Sequence, residues 1–366
     1  MDRANYALAQ ALLTQGRTVH LVAHEISDDL LCHPAVKSFL VPRPLKSTLL
    51  AERVLERMGL RVAHQVRSQF PDARVVVNGG NCAFPDINWV HAVHAAWRRF
   101  DHEAPLWFRT KGAIHKHKAI RDERRALTAA QLVIANSERT RRDLLSLGVP
   151  GHKIHTVYLG SDPAWQSPTL GARETARRNF GLPSDAIVVC FVGALGYDRN
   201  KGFDVLLQAW KSLKLPDAYL LAAGGGRGWD RWHEQARREG LSQSVRLLGF
   251  TKDVASVYAA SDLLVSPVRY EAFGLNVQEA ICFGLPAIVS KSAGVAELYP
   301  QSAERFLLHD ANDAAELAEL IATWARDKES AQRIFEPIAQ RMRTRTWQIM
   351  ANEIVDLVES TDKRPC

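Results

Sequence analysis

The sequence predicts an α/β protein made of two parallel-sheet units in tandem. Three observations carry this. Short apolar runs alternate with stretches of helical spacing along almost the whole chain. A stretch bearing Pro, Gly and Ser, residues 163–171, interrupts the series near the middle. The length of 366 residues suits about two ordinary domains, and a composition 46% hydrophobic and 24% charged supplies two cores.

In the first half, Ala4, Ala7, Leu8, Ala11 and Leu12 have helical spacing and Gly16 stops that helix. Residues 18–22 follow as a strand. Residues 75–77 and 89–93 read as strands, 116–130 as a helix, 132–134 as a strand and 138–147 as a helix. The second series opens with a wholly apolar strand over 187–192. Helices are predicted over 203–210, 230–239, 254–259 and 275–283. They alternate with strands over 218–223, 245–248, 263–265 and 287–290. Helices over 314–326 and 331–359 close the chain, the second expected to bend at Pro337.

Composition excludes several classes. No stretch approaches the roughly 20 apolar residues that span a bilayer, and Met1-Asp2-Arg3-Ala4-Asn5 lacks the apolar core of a signal peptide. Cys32, Cys82, Cys190, Cys282 and Cys366 are far apart and odd in number, which predicts a reducing, cytoplasmic setting without disulfides or a zinc site. Residues 1–160 carry 23 Lys and Arg against 14 Asp and Glu. Such a basic half suits phosphates, anionic lipid headgroups or nucleic acid, or is a solvated helix face. No nucleic-acid-binding motif supports that last partner.

The most informative stretch is Arg269-Tyr270-Glu271-Ala272-Phe273-Gly274-Leu275, which follows the apolar strand over 263–265. Gly274 permits a tight turn before a helix, and the N–H groups of that helix's first turn form an anion site suited to a diphosphate. Glu271 lies before the turn and Glu279 one turn inside the helix. Carboxylates beside a phosphate site suit hydroxyl recognition, as acidic residues do for ribose in dinucleotide folds. Two glutamates eight positions apart are common by chance, so the weight lies in the context.

That context, from Glu271-Ala272-Phe273-Gly274-Leu275 through Glu279-Ala280 to Gly284-Leu285-Pro286, resembles the donor-site motif of retaining glycosyltransferases of family 4. The likeness continues in Asn136-Ser137-Glu138, in Gly148-Val149-Pro150, in Phe191-Val192-Gly193 and in Asp198-Arg199-Asn200-Lys201-Gly202. It implies the GT-B fold, two Rossmann-like domains with parallel sheets facing a central cleft. The expected boundaries are 1–160 for the acceptor domain, 161–336 for the donor domain, and 337–366 for a helix returning to the first domain. The resemblance gives Glu279 the donor's ribose hydroxyls and Glu271 a hydroxyl of the transferred sugar. Gly274, Phe273 and Leu275 would line the donor. Arg199 and Lys201 would neutralise the departing diphosphate, a task that favours cations; an exposed turn is the alternative for both. The family usually has Arg directly after the strand's Gly, where this chain has Ala194.

The family's donor-contacting His falls on His94, with His91 as the alternative or as a core residue. Asn78-Gly79-Gly80-Asn81 either lines the cleft or is a turn. No Asp-x-Asp pair occurs, so neither a catalytic metal nor a cofactor is expected. The implied partners are a nucleotide-diphosphate sugar and a hydroxyl acceptor that is a glycan, a lipid-linked species or a small molecule. Rival readings are a non-catalytic nucleotide-sugar binder and a GT-B epimerase. Residues 98–125 hold nine Lys and Arg against four Asp and Glu, with Trp97 adjacent and Phe100, Trp107 and Phe108 interleaved, which suits peripheral contact with an anionic membrane. An aromatic set packed in the core beneath a solvated face is the alternative. Finally, the chain opens at a helix, whereas a Rossmann-like domain opens with a strand and a Gly-rich turn. A truncated start is therefore expected.

Overall fold

The computed structural model describes residues 2–44 and 48–362. Met1 and Cys366, named above, lie outside them. The four described cysteines are free thiols. The chain divides into two compact units. The first takes residues up to Trp97, then Trp107–Gly160, then Trp347 onward; the second takes Arg98–Leu106 and Ser161–Thr346.

In the first unit, α1 (Asp2–Thr14) leads into β1 (Val19–Ala23), α2 (Asp28–Leu31), β2 (Val36–Leu40) and α3 (Thr48–Gln69). Then come β3 (Val76–Asn78), β4 (Ile87–Val90), α4 (Leu106–Ala129), β5 (Leu132–Ala135), α5 (Glu138–Ser146) and β6 (Ile154–Thr156). Every strand pair is parallel. The strands form two sheets, β1-β2 and β3-β4-β5-β6, and no strand among the described residues joins them. β4 and β5 are buried along their whole length, as strands inside a doubly covered parallel sheet must be. The Ser137 hydroxyl caps α5 by accepting from the Thr140 N–H at 3.0 Å.

The second unit contains α6 (Leu170–Asn179), β7 (Ile187–Val192), α7 (Phe203–Ser212), β8 (Ala218–Ala223), α8 (Trp229–Arg238), β9 (Val245–Gly249) and α9 (Val254–Ala260). It continues with β10 (Leu263–Ser266), α10 (Leu275–Cys282), β11 (Ala287–Ser290), β12 (Leu307–Leu308), α11 (Ala314–Arg326) and α12 (Lys328–Thr344). α13 (Trp347–Asp362) belongs to the first unit, where Gln15 and Arg17 bond to Asn352 and Glu359. Six parallel strands lie in the order β12-β11-β10-β7-β8-β9. Their side chains, with those of α7, α10 and α11, make one large core.

Several elements differ from expectation. α4 starts at Leu106, ten residues before the predicted 116. The stretch read as a linker is irregular over 163–169, and only its last two residues, 170 and 171, open α6, which Thr169 caps. The C-terminal helix does not break at Pro337, which lies inside α12. The break comes at Arg345 and Thr346, so the chain passes to the first unit there and not at 337. Ser161 explains the position: its N–H donates to the Arg345 carbonyl at 2.8 Å and its hydroxyl to the Met342 carbonyl at 2.7 Å. Those bonds satisfy carbonyls that a helix end leaves unpaired.

Candidate active site

In the second unit, strand order reverses between β7 and β10. From β7 the chain runs outward through β8 and β9; from β10 it runs the other way through β11 and β12. Loops leaving the two strands at such a point diverge, and a crevice opens outside their carboxyl ends. The loop after β7 carries Arg199 and Lys201. The loop after β10 carries Glu271 and Gly274.

These two loops are stitched together. Asn200 Nδ2 donates to the Tyr270 carbonyl at 2.9 Å, and the Arg269 N–H donates to the Asn200 carbonyl at 2.8 Å. Gly202, at φ +73°, comes so close to the Pro267 carbonyl that an added Cβ would overlap it. Arg269 is nearly buried and binds Asp204 through two bonds of 2.8 Å. Held this way, the Lys201 ammonium forms an ion pair with the Glu271 carboxylate. Ala194 is exposed and supplies no charge where the family usually has Arg.

Gly274, at φ +115° and ψ 60°, is the residue before α10. An added Cβ there would stand 2.9 Å from Val295 Cγ1. The Val277 and Gln278 N–H groups turn back to the Gly274 carbonyl, at 3.1 and 3.2 Å. The N–H groups of Leu275 and Asn276, two residues earlier, have no intrahelical acceptor, as at any helix start. Asn276 Nδ2 donates to the Val192 carbonyl at 2.9 Å, which fixes the helix start to the end of β7. Phe273 is buried, and its carbonyl accepts from the Val295 N–H at 2.7 Å. Glu279 is half-buried in the second turn of α10. Burial first, and then the Glu279 charge, push the Tyr258 hydroxyl well above the usual range.

Arg199 is placed differently from Lys201. Its guanidinium pairs with Glu103 and lies 5.6 Å from the Trp232 ring centre. Arg231 binds the same Glu103 carboxylate at 3.1 Å. Glu103 belongs to Arg98–Leu106, the segment that folds with the second unit. The Arg199 N–H donates to the Phe100 carbonyl at 3.0 Å, and the Asp198 carboxylate accepts from the Phe100 N–H at 3.4 Å. Nothing local in the sequence marks Glu103, because its partners lie 96 and 128 positions away.

In the first unit the two histidines separate. His94 is partly exposed; its Nδ1 lies 3.1 Å from Glu123 Oε1, which also accepts from the His94 N–H at 2.9 Å. Glu123 itself is buried. The ring of His91 packs 4.5 Å from that of Trp89, and its Nε2 is shut off from solvent without a partner among the described residues. Burial pushes the His91 imidazole down to about 3, so it is neutral at pH 7. Gly79–Asn81 is a single 3₁₀ turn; Gly80 packs on the α4 backbone at Glu123. Among the described residues no cluster of His, Cys, Asp and Glu has the arrangement of a metal site.

Comparison with known proteins fits this architecture. Residues 1–165 match the family described as Glycosyltransferase Family 4, and residues 172–341 match Glycosyl transferases group 1. Sucrose-phosphate synthase from Thermosynechococcus elongatus superposes with a TM-score of 0.76 at 20% identity, covering 97% of this chain and 91% of that one. Anabaena HepE, solved with UDP and glucose, gives 0.71 at 19% identity, covering 98% and 96%. Each half of the chain thus matches a glycosyltransferase family model, and the fold is GT-B. The chain is also 31% identical over 257 residues to the D-inositol 3-phosphate glycosyltransferase of Corynebacterium urealyticum, a match covering 66% of this chain. The chain spans 60% of the length of that relative and 56% of its counterpart in Corynebacterium kroppenstedtii. One of the points at which the chain passes from the first unit to the second, Gly160 to Ser161, is close to the gap between the two family matches. No helix among the described residues is long and apolar enough to cross a membrane.

Proposed function

We propose that the protein is a retaining, metal-independent hexosyltransferase that moves a sugar from a nucleotide-diphosphate sugar to a hydroxyl acceptor. One observation carries the reading: Lys201, Glu271 and the Gly274 helix start converge at the reversal of strand order between β7 and β10. The N–H groups at the start of α10 and the Lys201 ammonium meet the donor's diphosphate. They supply the positive charge that a metal ion supplies elsewhere. Glu279 accepts hydrogen bonds from the ribose hydroxyls. Glu271 accepts one from a sugar hydroxyl once Lys201 turns to phosphate. Phe273, Gly274 and Leu275 line the donor.

In the reaction, the bond from the sugar's anomeric carbon to the diphosphate oxygen breaks. A bond to the acceptor oxygen forms on the same face, and the acceptor's proton passes to the leaving phosphate. Arg199 joins Lys201 at that phosphate after leaving Glu103. His94, its ring fixed by Glu123, donates to a sugar hydroxyl. The acceptor is a glycan or lipid-linked species handled at an anionic membrane face in the cytoplasm. UDP is the first nucleotide to try, since Anabaena HepE was solved with it.

A thermal-shift screen against nucleoside diphosphates and their sugars, in EDTA, tests the reading. A ligand that binds the folded state raises the transition temperature by mass action. Stabilisation by one nucleoside diphosphate supports the proposal, and no stabilisation by any of them sinks it. Slow hydrolysis of the matching nucleotide sugar separates an enzyme from a binder.

A further inference from the structure

α3 carries its charges in two rows. Glu52 and Glu56, one turn apart, face α4: Glu52 binds His115 at 3.0 Å and Lys118 at 2.8 Å, and Glu56 pairs with Arg125. Arg53, Arg57 and Arg61 form the second row, also one turn apart. All three are exposed, and none meets a carboxylate among the described residues. Like charges at this spacing repel, so the row weakens the helix that bears it.

The contacts also fix where the row points. Glu52 lies opposite residues 115 and 118 and Glu56 opposite 125, so the two helices run parallel. Ala51 and Val62 on α3, and Glu123 and Leu127 on α4, are buried and mark the inner side of the pair. At about 100° per residue, Arg53, Arg57 and Arg61 fall on the outer side of α3. Ile114 falls on the outer side of α4, and Trp107 lies one sector from it. These two side chains are 64% and 50% exposed. Lys111, exposed and without a carboxylate partner among the described residues, lies beside them.

We infer that this outer face of α3 and the first turns of α4 docks on a bilayer rich in anionic phospholipid. An unpaired arginine row matches negative headgroups. The exposed indole and isoleucine suit the boundary between headgroups and acyl chains, where a helix lies in the membrane plane. Nucleic acid would match the charge and leave Ile114 without a function. The inference deepens the acceptor reading above, since it places the protein where a lipid-linked acceptor lies.

Vesicle co-sedimentation of the full chain tests it, with vesicles of phosphatidylcholine alone or with phosphatidylglycerol added. We expect binding to the mixed vesicles only, weakened by high salt. R53E/R57E/R61E should lower the partition coefficient roughly a hundredfold. I114S with W107S should lower binding without altering its salt dependence. Equal binding to both vesicle types, or unchanged binding by the arginine variant, overturns the inference. So does loss of duplex oligonucleotide binding in that variant while vesicles fail to pellet the wild type. UDP-induced thermal stabilisation of the same preparations keeps the two readings apart. Stabilisation without vesicle binding removes the docking face alone, and vesicle binding without stabilisation by any nucleoside diphosphate removes the donor reading alone. UDP stabilisation of the arginine variant equal to wild type shows that it folds.

Discussion

Lys201 and Glu271 form an ion pair that joins the loop after β7 to the loop after β10. On the proposed function, this pair occupies the cation that would meet the diphosphate, so donor binding would exchange one negative partner for another. Lys201→Ala is expected to cut turnover by about two orders of magnitude at saturating donor, as loss of a transition-state donor does. Glu271→Gln should lower turnover more than donor affinity. Steady-state kinetics of nucleotide-sugar hydrolysis reads both; unchanged rates would reduce the pair to a surface salt bridge.

On the same proposal, Glu103, paired with Arg199, would compete with the donor for that guanidinium. Glu103→Gln should therefore tighten nucleoside diphosphate binding by up to about fivefold, the worth of a half-exposed ion pair. Arg199→Ala should weaken it, and the double variant should match Arg199→Ala. Weaker binding in Glu103→Gln would mean that the segment Arg98–Leu106 orders the loop more than it blocks Arg199.

Gly274→Ala places a Cβ 2.9 Å from Val295 Cγ1 on a backbone at φ +115°. The conformational strain alone is worth roughly 1–3 kcal/mol. The expected result is a lower denaturant midpoint that Val295→Ala restores only in part, because removing the contact leaves the backbone strained. Full restoration would show that contact, not φ, dominates.

His91 predicts a pH dependence. Burial lowers its folded pKa to about 3, against about 6.5 for an unfolded histidine. The unfolded chain then takes up a proton that the folded one refuses. Stability from this group is complete above pH 6.5 and falls as pH drops, by up to about 1.4 kcal/mol per unit. His91→Gln should flatten the denaturation midpoint between pH 7 and 5 relative to wild type. An identical slope in the two proteins would contradict the assignment.

Much of this architecture was legible in residue spacing. The strands of the second unit are continuous apolar runs because both sheet faces are covered, and β7, β8, β10 and β11 lie where the runs are. The Gly274 turn and the helix after it, with Glu271 before the turn and Glu279 inside the helix, were readable because they are local in sequence. α3 was readable in the helical spacing of Ala51, Leu55, Met58 and Val62 but was not assigned. The pairing of Glu103 with Arg199 and Arg231 was not readable, since it joins segments remote in sequence. The helix break at Arg345 is of the same kind: Pro337 was the local signal, and Ser161, far along the chain, decided the place. His91 and His94 look alike in sequence; only Glu123, brought over by α4, distinguishes them.

The donor role of α10 rests on Glu279, and titration calorimetry of the nucleoside diphosphate selected in the thermal screen tests it most directly. With EDTA present, wild type should bind in a one-to-one complex. Glu279→Ala should lose about 1.5–3 kcal/mol, the worth of a hydrogen bond to a charged group. Wild-type affinity in Glu279→Ala, or binding that appears only when a divalent metal is added, would contradict the account.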